Sequence, residues 1–172
     1  MVLAGPALTG PVIFREHSLQ LEADPVHGQK TGFFLDQREN RAKAGALTKG
    51  ACVLDVFAYT GGFSVSAACG GAREVTSVDV SRPVLEAAKR NMARNRDHPA
   101  VRAAAHRLIL GDAFDRLAEL ASAKERFDVV LLDPPAFAGS RAEVPQALSA
   151  YARLTRLGLG VLRPGGTLML SS

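Results

Sequence analysis

The sequence has little of what would place the protein in a membrane or outside the cell. It has no tryptophan and two cysteines, Cys52 and Cys69, in 172 residues. Neither cysteine has the spacing of a disulfide framework or a metal ligand, which predicts reduced thiols, no bound metal and a cytoplasmic location. No run approaches the roughly 18 consecutive apolar residues of a membrane span. The N-terminus also lacks a basic stretch followed by an apolar one, so we predict neither a membrane anchor nor a signal peptide.

What the sequence contains is typical of one globular domain. Hydrophobic residues make up 47% of the chain, charged residues 22% and aromatic residues 6%. Because alanine, leucine, valine and glycine are abundant, the composition favours helices packed on a sheet. The net charge of +4 is compatible with an anionic partner such as RNA. A solvated basic surface explains the charge at least as well.

From residue 51 onward, short apolar runs alternate with helical segments. The order of strands and helices predicts an α/β fold with a mostly parallel sheet and right-handed crossovers. An alternating segment, Val12 to Asp24, precedes it and predicts a β-ribbon, and a short helix is expected from about Gln37. We therefore divide the chain into an extension over residues 1–27 and a domain over 28–172. The predicted strands are 52–57, 74–80, 106–110, 127–132 and 167–171, and the predicted helices are 63–69, 84–95, 113–123 and 145–162.

The end of the first strand of the sheet carries the firmest prediction. Parallel sheets bind ligands at the carboxyl ends of their strands. Here Asp55 is followed by Tyr59-Thr60-Gly61-Gly62-Phe63. The glycine pair permits close backbone approach, but the G-x-G-x-x-G spacing of dinucleotide enzymes is missing. Because an acidic group would repel a diphosphate and suit a cation, the pattern predicts a pocket for S-adenosylmethionine (SAM), with a plain tight turn as the alternative.

The next two strand ends offer groups for the nucleoside part of the same ligand. Asp79, followed by Val80 and Ser81, can accept hydrogen bonds from ribose hydroxyls, a feature that NAD enzymes share. Asp112 and Ala113 are placed for the adenine amino group and ring nitrogen. The alternative for Asp112 is the N-cap of the following helix, and the two roles can coexist.

The fourth strand end is the most specific, since Asp133-Pro134-Pro135 follows a buried run directly. Proline restricts the backbone and removes amide donors, so the carboxylate and the carbonyls would face outward. Such a loop can hold the edge of a planar base. We predict that these three residues are catalytic, with Asp133 positioning the base or managing a proton. The alternative is that they merely end a strand.

Taken together, these segments resemble class I methyltransferases with a Rossmann-like fold. More narrowly, the chain resembles the ribosomal RNA large-subunit methyltransferase I family, which are 5-methylcytosine enzymes with an N-terminal PUA domain. The resemblance implies SAM as cofactor and RNA, in first place ribosomal RNA, as partner, and it leaves the oligomeric state open. The matching segments are 28–41, 53–64, 76–81, 111–114 and 132–137.

The same resemblance implies roles for the segment before the sheet. Gln29, Thr31 and Asp36 would line the cofactor pocket from outside the sheet, and Tyr59 to Phe63 would wrap the methionine part. Lys30 and Arg38 would face RNA phosphate or the entrance of the site. The alternative for both is surface solvation, and for Arg38 also an ion pair.

Two departures from the family bear on the acceptor chemistry. No PUA domain precedes the matching region, and the chain stops at Ser172, where the family continues into a segment with a nucleophilic cysteine. The last two strands of the class I fold would also lie beyond that point. Cys52 and Cys69 do not match the nucleophile and are expected to pack in the core. The leading function is methylation of cytosine C5; the alternatives are N-methylation of guanine or adenine, and a non-catalytic cofactor- or RNA-binding fragment.

Overall fold

The structure, a computed structural model, describes residues 10–28 and 31–171. The strands are β1 (Val12–Glu16), β2 (Leu19–Ala23), β3 (Cys52–Val56), β4 (Glu74–Asp79), β5 (Ala105–Leu110), β6 (Phe127–Leu132) and β7 (Leu162–Leu170). The helices are α1 (Arg38–Ala46), α2 (Gly62–Cys69), α3 (Arg82–Arg94), α4 (Pro99–Ala103), α5 (Ala113–Ser122) and α6 (Val144–Gly160), with short 3₁₀ helices at Leu35–Gln37 and Arg141–Glu143.

The larger sheet has the order β5-β4-β3-β6-β7, and all its neighbouring strands are parallel. The strands β1 and β2 form a separate antiparallel ribbon. The α/β fold with a parallel sheet and an N-terminal ribbon is thus confirmed. After β5 the chain crosses to the other side of β3, so the strand order reverses between β3 and β6. In open α/β sheets this reversal leaves a crevice at the carboxyl ends of the strands, where ligands bind.

Both faces of the sheet are covered, which explains why β3 and β6 are nearly continuous apolar runs. On one face the ribbon, α1, α2 and α3 enclose a core that includes Leu21, Val53 and Val75. On the other face α5 and α6 enclose a core that includes Leu54 and Leu117. The ribbon therefore shares a core with the sheet. None of the helices within 10–28 and 31–171 is long and apolar enough to cross a membrane.

Three local features differ from the expectations. The helix α6 ends at Gly160 rather than 162, and β7 begins at Leu162 with the Pro-Gly-Gly turn inside it as a bulge, since Phe127 pairs with Leu162 but Val129 pairs with Thr167. The helix α4 has five residues and was not predicted, because so short a segment shows no helical periodicity. Ser81 occupies the N-cap of α3, but its hydroxyl makes no capping hydrogen bond.

Candidate active site

A cavity of about 670 Å³ opens at the carboxyl ends of β3, β4, β5 and β6. This volume lies within the range of roughly 300–1,000 Å³ that is usual for small-molecule sites. The loops after the four strands contribute Phe57 to Thr60, Gly62, Phe63, Asp79 to Ser81, Gly111 to Ala113 and Asp133 to Ala136. The segment before α1 closes one side with His27, Gly28, Phe33, Phe34, Asp36 and Gln37, and α1 itself adds Arg41.

The loop after β3 has an unusual backbone. Phe57, Tyr59 and Gly61 all have positive φ, at 63°, 48° and 78°. A side chain at Gly61 would meet Ala88 of α3, 2.7 Å from its Cβ, and one at Gly62 would meet the Phe33 ring at 2.9 Å. The glycine pair therefore lets the loop pack closely against α3 and Phe33. Non-glycine residues in this region, here Phe57 and Tyr59, cost about 1–3 kcal/mol each and concentrate at functional sites.

Asp79 anchors that loop from the neighbouring strand. Its Oδ2 accepts a hydrogen bond from the Tyr59 amide at 2.9 Å, and its Oδ1 accepts one from the Ser81 amide at 2.9 Å. An ionised carboxylate has about four acceptor positions, so each oxygen retains capacity for a further donor. Asp79 therefore combines loop anchoring with a place at the cavity wall, where Val80 and Ser81 lie beside it.

Asp112 lies at the cavity wall and also caps a helix. Its Oδ1 accepts from the amides of Phe114 at 2.9 Å and Asp115 at 3.3 Å, which makes it the N-cap of α5. The capping alternative of the sequence analysis is thus present in the structure. Because Asp112 and Ala113 also line the cavity, capping leaves them available to a ligand there.

Asp133 is held at the end of β6 by a residue that the sequence analysis did not single out. The Ser171 hydroxyl donates to Asp133 Oδ1 at 2.6 Å, and the Ser171 amide donates to the Leu132 carbonyl at 3.0 Å. This contact joins the end of β7 to the cavity. Asp133, Pro134 and Pro135 all line the cavity, with Pro134 buried and Pro135 exposed. The bond to Ser171 limits the rotation of the Asp133 carboxylate.

Asp55, by contrast, does not reach the cavity wall. It is fully buried in β3, and the Ser64 hydroxyl of α2 donates to its Oδ2 at 2.5 Å. Burial raises the pKa of Asp55 to about 7, Ser64 opposes this, and the charges of Asp133 and Asp79 add to it. Its Oδ1 has no hydrogen-bond partner in the described part of the chain. Any influence of Asp55 on a ligand is therefore exerted from beneath the loop.

The wall opposite the strand ends depends on Arg41, which the sequence analysis also passed over. Its guanidinium is buried, donates from Nε and Nη2 to the Glu16 carboxylate at 2.7 and 2.5 Å, and donates from Nη1 to the Phe34 carbonyl at 2.9 Å. It also lies 4.6 Å from the centre of the Phe33 ring. Arg41 thus joins the ribbon, α1 and the cavity wall. Its place within the family-like segment 28–41 was the available signal.

Other predicted residues of this segment lie apart from the cavity or outside the described ranges. Thr31 is exposed, does not line the cavity, and donates its hydroxyl to the Phe33 carbonyl at 2.9 Å. Arg38 is exposed at the start of α1 and does not line the cavity either. Gln29 and Lys30 lie outside the described residues. Asp36 is the member of the predicted set that the structure places at the cavity wall.

Both cysteines lie away from the cavity. Cys69 packs against the core beneath α2 and Cys52 against the core on the other face. Burial raises the pKa of the Cys69 thiol, which makes it a weaker nucleophile at neutral pH. Within the residues that the structure describes, no thiol lines the cavity and no group of three or more His, Cys, Asp or Glu side chains could hold a metal ion.

Comparison with known proteins assigns this site to a family. The chain matches the S-adenosylmethionine-dependent methyltransferase family over residues 3–171. It is 44% identical to a Deinococcus radiodurans protein named ribosomal RNA large subunit methyltransferase, over 99% of this chain and 41% of that protein. It is 39% identical to the Pseudoalteromonas translucida protein named ribosomal RNA large subunit methyltransferase I, over 99% of this chain and 42% of that protein. The chain spans about two fifths of the length of these relatives.

A solved structure agrees with the sequence relatives. A protein assigned as a methyltransferase, in complex with S-adenosylhomocysteine (SAH), has a TM-score of 0.82 and 30% identity over 98% of this chain and 43% of its own. The parallel sheet with its strand-end cavity therefore defines a Rossmann-like methyltransferase. The chain belongs to the S-adenosylmethionine-dependent methyltransferase family, and the expectation of SAM as cofactor is confirmed.

Proposed function

We propose that this chain is the cofactor-binding catalytic part of an enzyme that methylates a base in large-subunit ribosomal RNA. The observation that carries the proposal is the cavity, which brings Asp79, Asp112 and Asp133 together at successive strand ends. The names of the relatives support the ribosomal substrate. A ribosomal target also supports the cytoplasmic location expected from the cysteines.

SAM would lie across the strand ends. The methionine part would contact the loop from Tyr59 to Phe63, the ribose hydroxyls would donate to Asp79 beside Val80 and Ser81, and the adenine would lie at Asp112 and Ala113. Asp36, with Gln29, would complete the pocket from outside the sheet, and Thr31 would hold the same segment through its bond to the Phe33 carbonyl. The remaining acceptor capacity of Asp79 and the acidic character of the wall suit a ligand that is cationic at its sulfur.

The cofactor supplies an activated methyl group, and the chain supplies its orientation. Holding a nucleophile in line with the methyl group makes the transfer effectively unimolecular. Such positioning can remove a large part of the activation barrier. Asp133, with its rotation limited by Ser171, would accept a hydrogen bond from an amino group at the base edge. Pro134 and Pro135 would present carbonyls to the same edge. Lys30 and Arg38 would contact RNA phosphates, since cationic side chains carry most backbone contacts.

Cytosine C5 is the proposed target atom. C5 is a poor nucleophile until a thiolate adds to C6, so this reaction needs a cysteine near the base. Cys52 and Cys69 pack in the two cores, so on this proposal the thiol comes from outside the described residues. Methylation of a guanine or adenine nitrogen needs no thiol, and the position of both cysteines favours it as the second candidate.

Two measurements test the proposal. Isothermal titration of the folded chain with SAM should give saturable binding. An Asp79→Ala variant should bind about 100-fold more weakly, whereas Asp97→Ala, an exposed acidic control, should bind as the unsubstituted chain does. Transfer of tritiated methyl groups to undermethylated large-subunit RNA by the longer enzyme that supplies the thiol, followed by nucleoside analysis, should give 5-methylcytidine. An N-methylated purine would support the second candidate, and the absence of SAM binding would overturn both.

A further inference from the structure

A hydrogen-bonded chain of four polar side chains lies beneath the cavity, on the face of the sheet that α2 covers. His106 Nε2 of β5 lies 2.8 Å from Ser77 Oγ of β4, and Ser77 Oγ lies 2.6 Å from Ser64 Oγ of α2. The Ser64 hydroxyl then donates to Asp55 Oδ2 of β3 at 2.5 Å. Asp55, Ser64 and Ser77 are fully buried. Three successive hydrogen bonds thus connect the half-buried imidazole of His106 with the Asp55 carboxylate, which lies under the loop after β3.

The hydrogen bonds of this chain have one direction when Asp55 is ionised. Each serine has one hydroxyl hydrogen. Because Ser64 donates to Asp55, it must accept from Ser77, and Ser77 must then accept from His106. The Nε2 of His106 therefore carries a hydrogen, which selects one tautomer of the neutral ring. Burial lowers the pKa of His106 to about 4, so the ring is neutral at pH 7.

Because every hydrogen bond of the chain is donated toward Asp55, the chain affects the ionisation of that carboxyl group. The acidic groups facing it from β4 and β6, Asp79 and Asp133, disfavour the ionised form, as does burial itself. Hydrogen bonds donated to a carboxylate favour the ionised form, and chains of such bonds strengthen one another in a low-dielectric interior. With His106 as its terminal donor, the chain opposes the burial and the two carboxylates.

The ionised form of Asp55 has a use at this position. Ser64 lies in the first turn of α2, directly after the loop from Tyr59 to Phe63. The remaining oxygen of Asp55, Oδ1, has no hydrogen-bond partner in the described chain. A negative charge beneath this loop attracts a cation in the cavity above it through a medium of low dielectric. SAM has a sulfonium cation at its sulfur, whereas its product SAH has a neutral thioether.

We propose that His106 is a positioning residue that, through Ser77 and Ser64, holds Asp55 ready to favour the sulfonium of SAM over the neutral sulfur of SAH. The inference rests on the proposed placement of SAM over the loop from Tyr59 to Phe63. Its consequence is discrimination between donor and product, which speeds exchange of SAH for SAM after each transfer.

The test measures the ratio of the SAM and SAH affinities by titration at pH 7. His106→Ala and Ser77→Ala should each lower this ratio about fivefold, through weaker SAM binding, because each removes a donor from a charge-assisted chain. SAH affinity should change less than about twofold, since the neutral thioether carries no net charge and interacts only weakly with the carboxylate. His106→Gln keeps an N–H donor and should restore the ratio. The matched control is Leu108→Ala, which changes a half-buried residue of the same strand that takes no part in the hydrogen bonds from His106 to Asp55. It should leave the ratio unchanged.

A double-mutant cycle isolates the path to Asp55. Asp55→Asn removes the charge and should lower the ratio by itself, and adding His106→Ala to it should lower the ratio no further. Ser77→Ala nearly conserves volume and decides the question where His106→Ala does not fold. An unchanged ratio in the folded variants, or additive effects in the cycle, would overturn the inference while leaving the proposed function intact. If the unsubstituted chain binds neither SAM nor SAH, the proposed function itself fails.

Discussion

The two sides of the cavity are held in different ways. On the strand-end side, Asp79 and Asp112 each accept a hydrogen bond from an amide two residues later, that of Ser81 and that of Phe114. On the opposite side, Arg41 reaches across 25 residues to Glu16 through a buried ion pair. The first arrangement can form with its own loop. The second exists only after the ribbon has docked, so we expect this side to depend more on global stability.

One buried amide links the two sides. Asn91 of α3 accepts from the Glu22 amide of the ribbon at 2.8 Å and donates to the Thr60 carbonyl of the loop after β3 at 2.9 Å. Glu22 itself pairs with Arg90 and Arg94 of the same helix. The ribbon is therefore connected to the loop after β3 through α3, and to the cavity wall through Arg41. Substitutions on each side can separate effects on stability from effects on binding.

Loss of Arg41 should have the largest effect. Arg41→Met leaves Glu16 buried without its counter-charge, which we expect to lower the free energy of unfolding by about 3–5 kcal/mol. Urea unfolding monitored by circular dichroism measures this, with Arg38→Met, an exposed arginine of the same helix, as the control. The double variant Arg41→Met, Glu16→Leu removes both charges and should recover most of the loss. Equal stability of the single and double variants would contradict the ion-pair argument.

Loss of Asp79 should affect binding more than stability. Asp79→Ala removes two amide contacts and the proposed ribose acceptor, so we expect SAM affinity to fall about 100-fold, with each charged hydrogen bond contributing about 1.5–3 kcal/mol. Asp79→Asn keeps the shape and one acceptor and should lose less. Titration with SAM measures both variants. A fall in affinity no larger than that of Arg41→Met at equal folded fraction would remove the distinction between the two sides.

The strand-end side could be predicted from sequence because its signals are local. Asp79, Asp112 and Asp133 each lie at or just after the end of a predicted strand, and parallel strands bring such ends together whatever the details of packing. Arg41 and Ser171 could not be predicted in the same way. The Ser171 hydroxyl meets Asp133 only because β7 pairs with β6, 38 residues apart in sequence. Asp55, which the sequence placed at the same strand end, is fully buried in β3 and does not line the cavity.

The interior beneath the strand ends should respond to pH in two opposing ways. The pKa of Asp55 is raised to about 7, so its contribution to stability is present at low pH and is lost as the pH rises through about 7. The pKa of His106 is lowered from 6.5 to about 4, so its contribution is lost as the pH falls between these values. In the unsubstituted chain the two slopes oppose each other.

Single substitutions should reveal each slope. The unfolding free energy of Asp55→Asn should rise with pH between about 4.5 and about 6.5, and that of His106→Gln should fall between about 4.5 and about 7. Denaturant titrations across this range measure both profiles. Arg38→Met, on the other side of the cavity, should keep the profile of the unsubstituted chain. If the unfolding free energies of Asp55→Asn and His106→Gln changed with pH in the same direction, the opposite pKa shifts of His106 and Asp55 would be contradicted.

Substitution of Asp112 should have the smallest effect on stability and binding. It can separate the capping of α5 from the proposed contact with the adenine of SAM. Asp112→Ala removes the N-cap of α5 and should lower the free energy of unfolding by about 1 kcal/mol. Asp112→Asn retains a capping oxygen and should be nearly as stable as the unsubstituted chain. Both variants lose the carboxylate offered to the adenine amino group, so SAM affinity should fall about threefold to tenfold in each. Asp115→Asn, which changes an exposed acid of the same turn, should alter neither quantity. If affinity follows the cap and falls only in the alanine variant, Asp112 serves the helix alone, and the adenine must be held by the neighbouring backbone.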